Sequence, residues 1–398
     1  MSARFTGRTV AVAGYAHTPI VREPTRPLGA SAVDCARDAL TDAGLTVADV
    51  DGVVASSLFP SAGDHAVVDG VSTVTAGWLA EHLGVRDAYV AGFQGMGQIP
   101  GSVAIASNAV ASGAADVVVW QRALHNPSGS YHGSGRLEFG GMMQWIAPHG
   151  FFGPLPTIGL TTTEYFERYG ADRRSLGAVT VEARKNGARI PWSVWNGRPL
   201  TIDDYLEAPL VNDPICRLDC DIPVEGVATF VFTTAERARD LPNRPVEVAG
   251  FASAMPSRPR LPLHWPLDDV IEAGSSLADR LWTHAGVGPD EIDLPQLYDG
   301  FSPFVWFWLE ALGFCPVGEA HRFVADGGID SDRAGALPAL SVGGALGNGR
   351  MHGVPQMLEC YLQLADRAGD RQRHGVEVAL ACHASPHLGG AVVYRRAG

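Results

Sequence analysis

Two stretches of this chain, half a chain apart, repeat the same order of motifs. VAVAGYAHTPI (10–20) returns as VEVAGFASAMP (246–256). ARDALTDAGLTVADVD (36–51) returns as ADRLWTHAGVGPDEID (278–293), with the Ala-Gly turn in register. A third pair follows in the same order: the strand, loop and helix from Tyr89 to Gly113, and those from Leu340 to Gly369. Self-similarity at this spacing means that one βαβαβ unit has been copied, so the chain must fold as two like halves.

Within the first half, strands and helices alternate. RTVAVAGYA, VDGVVASS, DAYVAGF and ADVVVW are β-branched apolar runs. The segments between them place apolar residues at helical spacing: Val33, Ala36, Leu40 and Ala43 in one, Ile99, Val103, Ala106 and Val110 in another. That order predicts a mostly parallel sheet covered by helices. From 121 to 220 Gly, Pro and isolated aromatics dominate, with helical stretches around TTEYFERYG and RSLGAVTVEARKNG. This reads as a loop-rich insertion. The expected organisation is residues 1–120 with 221–244 as the N-terminal half, 121–220 as the insertion, and 245–398 as the C-terminal half.

Composition removes several functions. With 43 acidic and 30 basic side chains the net charge is −13, which argues against a nucleic-acid or anionic-membrane surface. No apolar run reaches the ~20 residues of a membrane span, and the first residues lead directly into a strand, so a cytoplasmic protein is expected. Six cysteines spread along 398 residues point to free thiols rather than a disulfide framework. A single lysine, Lys185, sits in what reads as a solvent-facing amphipathic helix, which leaves little room for imine chemistry. The histidines show no metal-ligand spacing beyond His383 and His387, and no metal is expected.

In open α/β sheets ligands bind beyond the carboxyl ends of strands, next to helix N-termini. Two equivalent glycine loops fit that position, AGFQGMGQIPG (91–101) and SVGGALGNGRMHG (341–353). LYDGFSP (297–303) puts Tyr298 and Asp299 before an apolar helix whose Phe304, Trp308 and Leu312 read as core. ACHASPHLGG (381–390) carries Cys382, His383 and His387 into a turn. Each has a bland alternative: Tyr298 as a strand-end tyrosine bonded to backbone, Asp299 as a helix cap, His352 as packing between the halves. The run Asp219-Cys220-Asp221 reads as strand entry near a dimer face.

The duplicated halves, YDGFSPFVWFWLEALGFC, GGALGNGRMHG and the terminal LGGAVVY resemble the thiolase superfamily, in particular its sterol-carrier and lipid-transfer-protein branch. The resemblance implies a duplicated five-layer αβαβα fold with the loop-rich insertion in its N-terminal half, a homodimer and an acyl-CoA ligand. Gln94 stands where the nucleophilic Cys of thiolases is expected, followed by Gly95. Tyr298-Asp299-Gly300-Phe301 replaces the Asn-Glu-Ala-Phe or His-Asp-Cys-Phe motif, and Gly349-Arg350-Met351 replaces Gly-His-Pro. An amide cannot form an acyl-enzyme. What remains is similar to the thiolase-like steroid side-chain aldolases that pair with a zinc-containing OB-fold protein of the DUF35 type.

That similarity implies a retro-aldolase cleaving a bulky β-hydroxyacyl-CoA, with a steroid side-chain thioester as a candidate, to a ketone or aldehyde plus acetyl- or propionyl-CoA. Tyr298, Asp299, Arg350 and His383 are the expected catalytic residues. Gln94, Gly95, Gly344, Asn348 and His352 are expected to bind the substrate or its CoA. No cofactor is expected beyond the thioester itself. Two alternatives stay open at this point: an acyltransferase using Cys382 as nucleophile, and a non-catalytic acyl-CoA or lipid-binding subunit. ADVVVW, lacking the charges that blunt a free strand edge, is the expected dimer edge.

Overall fold

The computed structural model describes residues 7–57, 71–93, 98–126, 140–151, 153–254 and 265–398. The first half contains β1 (Val10–His17), α1 (Leu28–Asp42), β2 (Gly52–Ala55), α2 (Ala76–Leu83), β3 (Tyr89–Gly92), α3 (Gln98–Ser112) and β4 (Val117–His125). The insertion holds α4 (Pro154–Tyr169), α5 (Arg173–Gly187), α6 (Ile202–Glu207), β5 (Leu210–Asn212) and β6 (Ile215–Cys216). β7 (Glu225–Thr234) and α7 (Ala235–Ala238) return to the first half. The second comprises β8 (Val246–Ser253), α8 (Leu267–Ala285), β9 (Leu294–Gln296), α9 (Pro303–Ala311), α10 (Ala320–Ala325), α11 (Val354–Leu364), β10 (Val378–His383) and β11 (Gly390–Arg396).

The sheet order is β3-β2-β4-β7-β1-β8-β11-β10-β9. Outward from β1 the pairings run antiparallel to β7, antiparallel to β4, then parallel to β2. Outward from β8 they run antiparallel to β11, antiparallel to β10, then parallel to β9. The two halves are thus mirrored in topology about the short β1–β8 contact at Ala11–Glu247 and Val12–Val246. Three apolar clusters give the layering. One lies under α1 and α2, one under α8 and α9, and the third holds α3 and α11 between strands of both halves. This is the expected five-layer arrangement, with α3 touching β2, β4 and β7 on one side and β8, β10 and β11 on the other.

Packing explains why the repeated letters repeat. A Cβ on Gly14 of the first VAG would lie 2.7 Å from the Ala43 Cβ, and one on Gly250 of the second would lie 2.7 Å from the Ala285 nitrogen. In both halves the C-terminal Ala of the covering helix presses on the strand, and only glycine leaves it room.

Several expectations change. ADVVVW does not form an edge: β4 lies between β2 and β7, continues past 120 to His125, and every one of its residues is buried. The described edge of the first half is β3. Leu340 opens no strand, and residues 338–349 run as turns before α11, tied to β9's end by the Leu297 amide donating to the Ala339 carbonyl. Among its described residues the insertion carries three α-helices and packs on the second half, where Tyr165, Leu176, Val179 and Ala183 join the core of α8 and α9. Consequently α5 is not solvent-facing. Lys185 is held by Glu182 at 2.7 Å and Asp330 at 2.5 Å.

Candidate active site

The carboxyl ends of β2, β4, β9 and β10 converge on one buried polar cluster. The end of β9 delivers Tyr298 and Asp299, and the end of β10 delivers His383. The turn before α11 supplies Arg350 and His352, and the segment entering β7 supplies Asp221. The Tyr298 ring lies tilted against the His383 ring with centroids 5.2 Å apart, and the His383 ring lies 6.3 Å from that of His352. Of the residues expected from sequence, Tyr298, Asp299, Arg350, His352 and His383 therefore come together. Gln94 and Gly95 lie outside the described residues.

Tyr298 is only 5% exposed, and its hydroxyl makes no hydrogen bond to any described residue. The bland reading, a strand-end tyrosine bonded to backbone, is thereby set aside. Burial, then the Asp221 charge, holds its phenol well above its ordinary value near 10, against the lowering pull of Arg350 and Arg122. Tyr298 is thus a neutral phenol. The ring folds back over Gly300, where a Cβ would meet the Tyr298 hydroxyl at 2.5 Å.

Asp299 is not a helix cap. The N-cap of α9 is Ser302, which makes no side-chain cap bond. The Asp299 carboxylate instead accepts from the Ala345 amide at 2.6 Å, the Leu346 amide at 3.1 Å and Gln356 Nε2 at 3.1 Å. Burial pushes its carboxyl up to about 7, although the backbone donors pull it down. It is the post around which the second glycine loop is wound. Gly344, at φ +57°, has no room for a Cβ against this carboxylate. Asn348 completes the winding by donating to the Val342 and Gly344 carbonyls, both at 2.7 Å. In this structure its side-chain amide grips the loop itself.

Arg350 is buried with Asp221 at 4.0 Å, while its own amide donates to the Ile222 carbonyl at 2.9 Å. Asp221 is positioned by its amide, which donates to the Gly300 carbonyl at 3.1 Å. The Asp219-Cys220-Asp221 run is accordingly a strap across the site, bridging Cys220 to Phe301 just ahead of β7. Asp219 anchors it by accepting from Tyr205 and Ser302. His383 is buried, neither ring nitrogen has a hydrogen-bond partner among the described residues, and burial with Arg122 lowers its imidazole to about 3. It is a neutral ring at physiological pH.

Sequence reasoning missed Arg122 and Asp221. Arg122 lies in β4 with its guanidinium donating to the Ser56 carbonyl at 3.0 Å and meeting His352 Nδ1 at 2.5 Å. A signal existed: a lone arginine inside the apolar run VVVWQRALH, which the expected boundary at 120 cut away. Cys382, the alternative nucleophile, is 1% exposed in the core of the second half, and burial raises its thiol well above 9. A thiol kept un-ionised in that apolar core is a poor nucleophile for a thioester. His387 does not join His383. It bonds Ser385 Oγ at 2.7 Å and packs edge-on against Trp265, and the described residues contain no cluster able to hold a metal ion.

Residues 269–393 match the family described as Thiolase C-terminal domain-like. The chain is 32% identical over 364 residues to 17-hydroxy-3-oxo-4-pregnene-20-carboxyl-CoA lyase of Mycobacterium tuberculosis, covering 89% of this chain and 91% of that protein. It is 31% identical over 361 residues to a steroid side-chain-cleaving aldolase of Thermomonospora curvata, covering 88% of each. Among solved structures, an Ltp2-ChsH2(DUF35) aldolase superposes with a TM-score of 0.83 at 27% identity, over 98% of both chains.

Proposed function

The chain belongs to the thiolase-like aldolases, carbon–carbon lyases acting on CoA thioesters, and from that premise we propose that it cleaves a steroid side-chain β-hydroxyacyl-CoA by a retro-aldol reaction. In that reaction a base takes the proton of the β-hydroxyl, and the C3–O bond becomes a carbonyl as the C2–C3 bond breaks. The electron pair moves to C2 and the thioester oxygen as an enolate, and protonation of C2 releases acetyl- or propionyl-CoA. The thioester is its own electron sink, so no cofactor is consumed. The only lysine is committed to Glu182 and Asp330.

The observation that carries the assignment is Tyr298, a buried phenol without a hydrogen-bond partner among the described residues, ringed by Arg350, Arg122 and His383. A neutral phenol is the proton donor for C2. Neutral His383, with both nitrogens unpartnered among the described residues, relays the β-hydroxyl proton to the Tyr298 phenolate left after C2 is protonated, so both groups end the cycle as they began it. Asp299 is the positioning residue that holds the glycine loop, and Gly344 on that loop borders the path for the thioester. Arg350 stands where the enolate oxygen develops charge, a place where one preorganised donor contributes about 3–4 kcal/mol.

We further propose that it works as a homodimer in the cytoplasm with an OB-fold partner of the zinc-containing DUF35 type. The aldolase of similar fold whose title names a DUF35 component supports the partner. No helix among the described residues is long and apolar enough to cross a membrane. The test is mass spectrometry of reactions with a panel of steroid and simple β-hydroxyacyl-CoA esters, with and without a DUF35 partner. The reading requires a ketone or aldehyde together with acetyl- or propionyl-CoA. Intact substrate under every condition overturns it.

A further inference from the structure

We propose that Arg122 is a positioning residue of this site, fixing His352 as the tautomer that carries its proton on Nε2 and lending its charge to the cavity around Tyr298. The inference rests on the lyase reading for the reaction it serves, but its geometry is independent of that reading. Along β4, Trp120 and Leu124 point into the middle core, and strand alternation sends Arg122 to the same face. Placing a guanidinium there is costly unless it is used. The group is fully buried, and although burial lowers it to about 10 it remains a cation at neutral pH.

The chemistry of the contact is one-sided. A guanidinium has only donors, so at the 2.5 Å contact His352 Nδ1 must accept and carries no proton. The proton of the neutral ring is therefore on Nε2. Arg122 is itself steered by the Ser56 carbonyl at 3.0 Å and the Ser56 hydroxyl at 3.1 Å, at the end of β2. His352 also adopts φ +52°, a left-handed conformation that a residue with a Cβ seldom takes and that surrounding contacts must enforce. With Arg350 nearby, two guanidiniums border Tyr298, which suits a cavity where an enolate forms.

The experiment combines kinetics with histidine ¹⁵N NMR on the full chain in complex with its partner. His352 in the unmodified protein should show an acceptor Nδ1 and a protonated Nε2. Arg122→Met should abolish that signature and lower kcat about 100-fold or more, with KM nearly unchanged. Arg122→Lys should restore part of both. A His352 that carries its proton on Nδ1 in the unmodified protein overturns the proposal whatever the variants do. So does an Arg122→Met protein with unchanged kcat and unchanged tautomer. If the unmodified complex cleaves no β-hydroxyacyl-CoA yet loses the tautomer on Arg122→Met, the positioning role stands and the lyase reading fails.

Discussion

A phenol inside a protein usually donates its hydrogen to something, and Tyr298 donates to no described residue. That sharpens the test of its role. Tyr298→Phe should lower kcat by about 10²–10⁴-fold with little change in KM. The melting temperature should stay nearly constant, since no internal hydrogen bond is lost. A variant with normal turnover would shift the proton transfer to His383 or Arg350. Asp299 makes a second prediction at this scale. Its carboxyl rises from 3.8 to about 7 on folding, so between those values the folded chain holds a proton that the unfolded chain has released. Stability from this group is therefore full below pH 3.8 and is lost as pH rises towards 7, by at most about 1.4 kcal/mol per unit. Asp299→Asn lacks this dependence. Its melting temperature relative to the unmodified chain should improve from pH 5 to pH 8, and a constant difference would refute the buried titration.

At the level of elements, the strand-to-helix contact repeated in both halves decides which residues are replaceable. Gly14→Ala and Gly250→Ala each drive a methyl into the C-terminal Ala of a covering helix, Ala43 or Ala285. Overpacking of this kind costs about 1–3 kcal/mol. Both variants should lower the melting temperature by several degrees. Gly77→Ala, where a Cβ meets nothing within 4 Å, should be neutral or stabilising. Equal behaviour of all three in thermal melts would show that the repeat is historical and not a packing requirement.

Across the whole molecule, the two ends of the sheet differ. Beyond β9 the turns at 338–342 supply cover, through the bond from Leu297 to Ala339. Among the described residues β3 pairs with β2 alone and leaves Val90 47% exposed. An edge strand with an exposed valine suits pairing with a second copy across a two-fold axis. Light scattering should give a dimer, and Val90→Lys should weaken it. A monomer at micromolar concentration in the unmodified chain would rule the β3 contact out.

The duplication, the α/β class, most strand and helix positions, and the pair Tyr298-Asp299 were legible in the letters. The strand expected at Leu340 is instead a run of turns, and the sheet expected to be mostly parallel is mixed, because β7, β8 and β11 insert antiparallel. Periodicity and repeated Ala-Gly turns are local and survive in a linear string. The interior position of β4, the partnership of Asp299 with the Ala345 and Leu346 amides, and the entry of Arg122 and Asp221 into the site were not. Each depends on which strands become neighbours, and that follows from non-local pairing and the burial it permits. An arginine in an apolar strand is only an oddity in sequence. The tertiary fold made it part of a site by bringing Ser56 and His352 to its guanidinium.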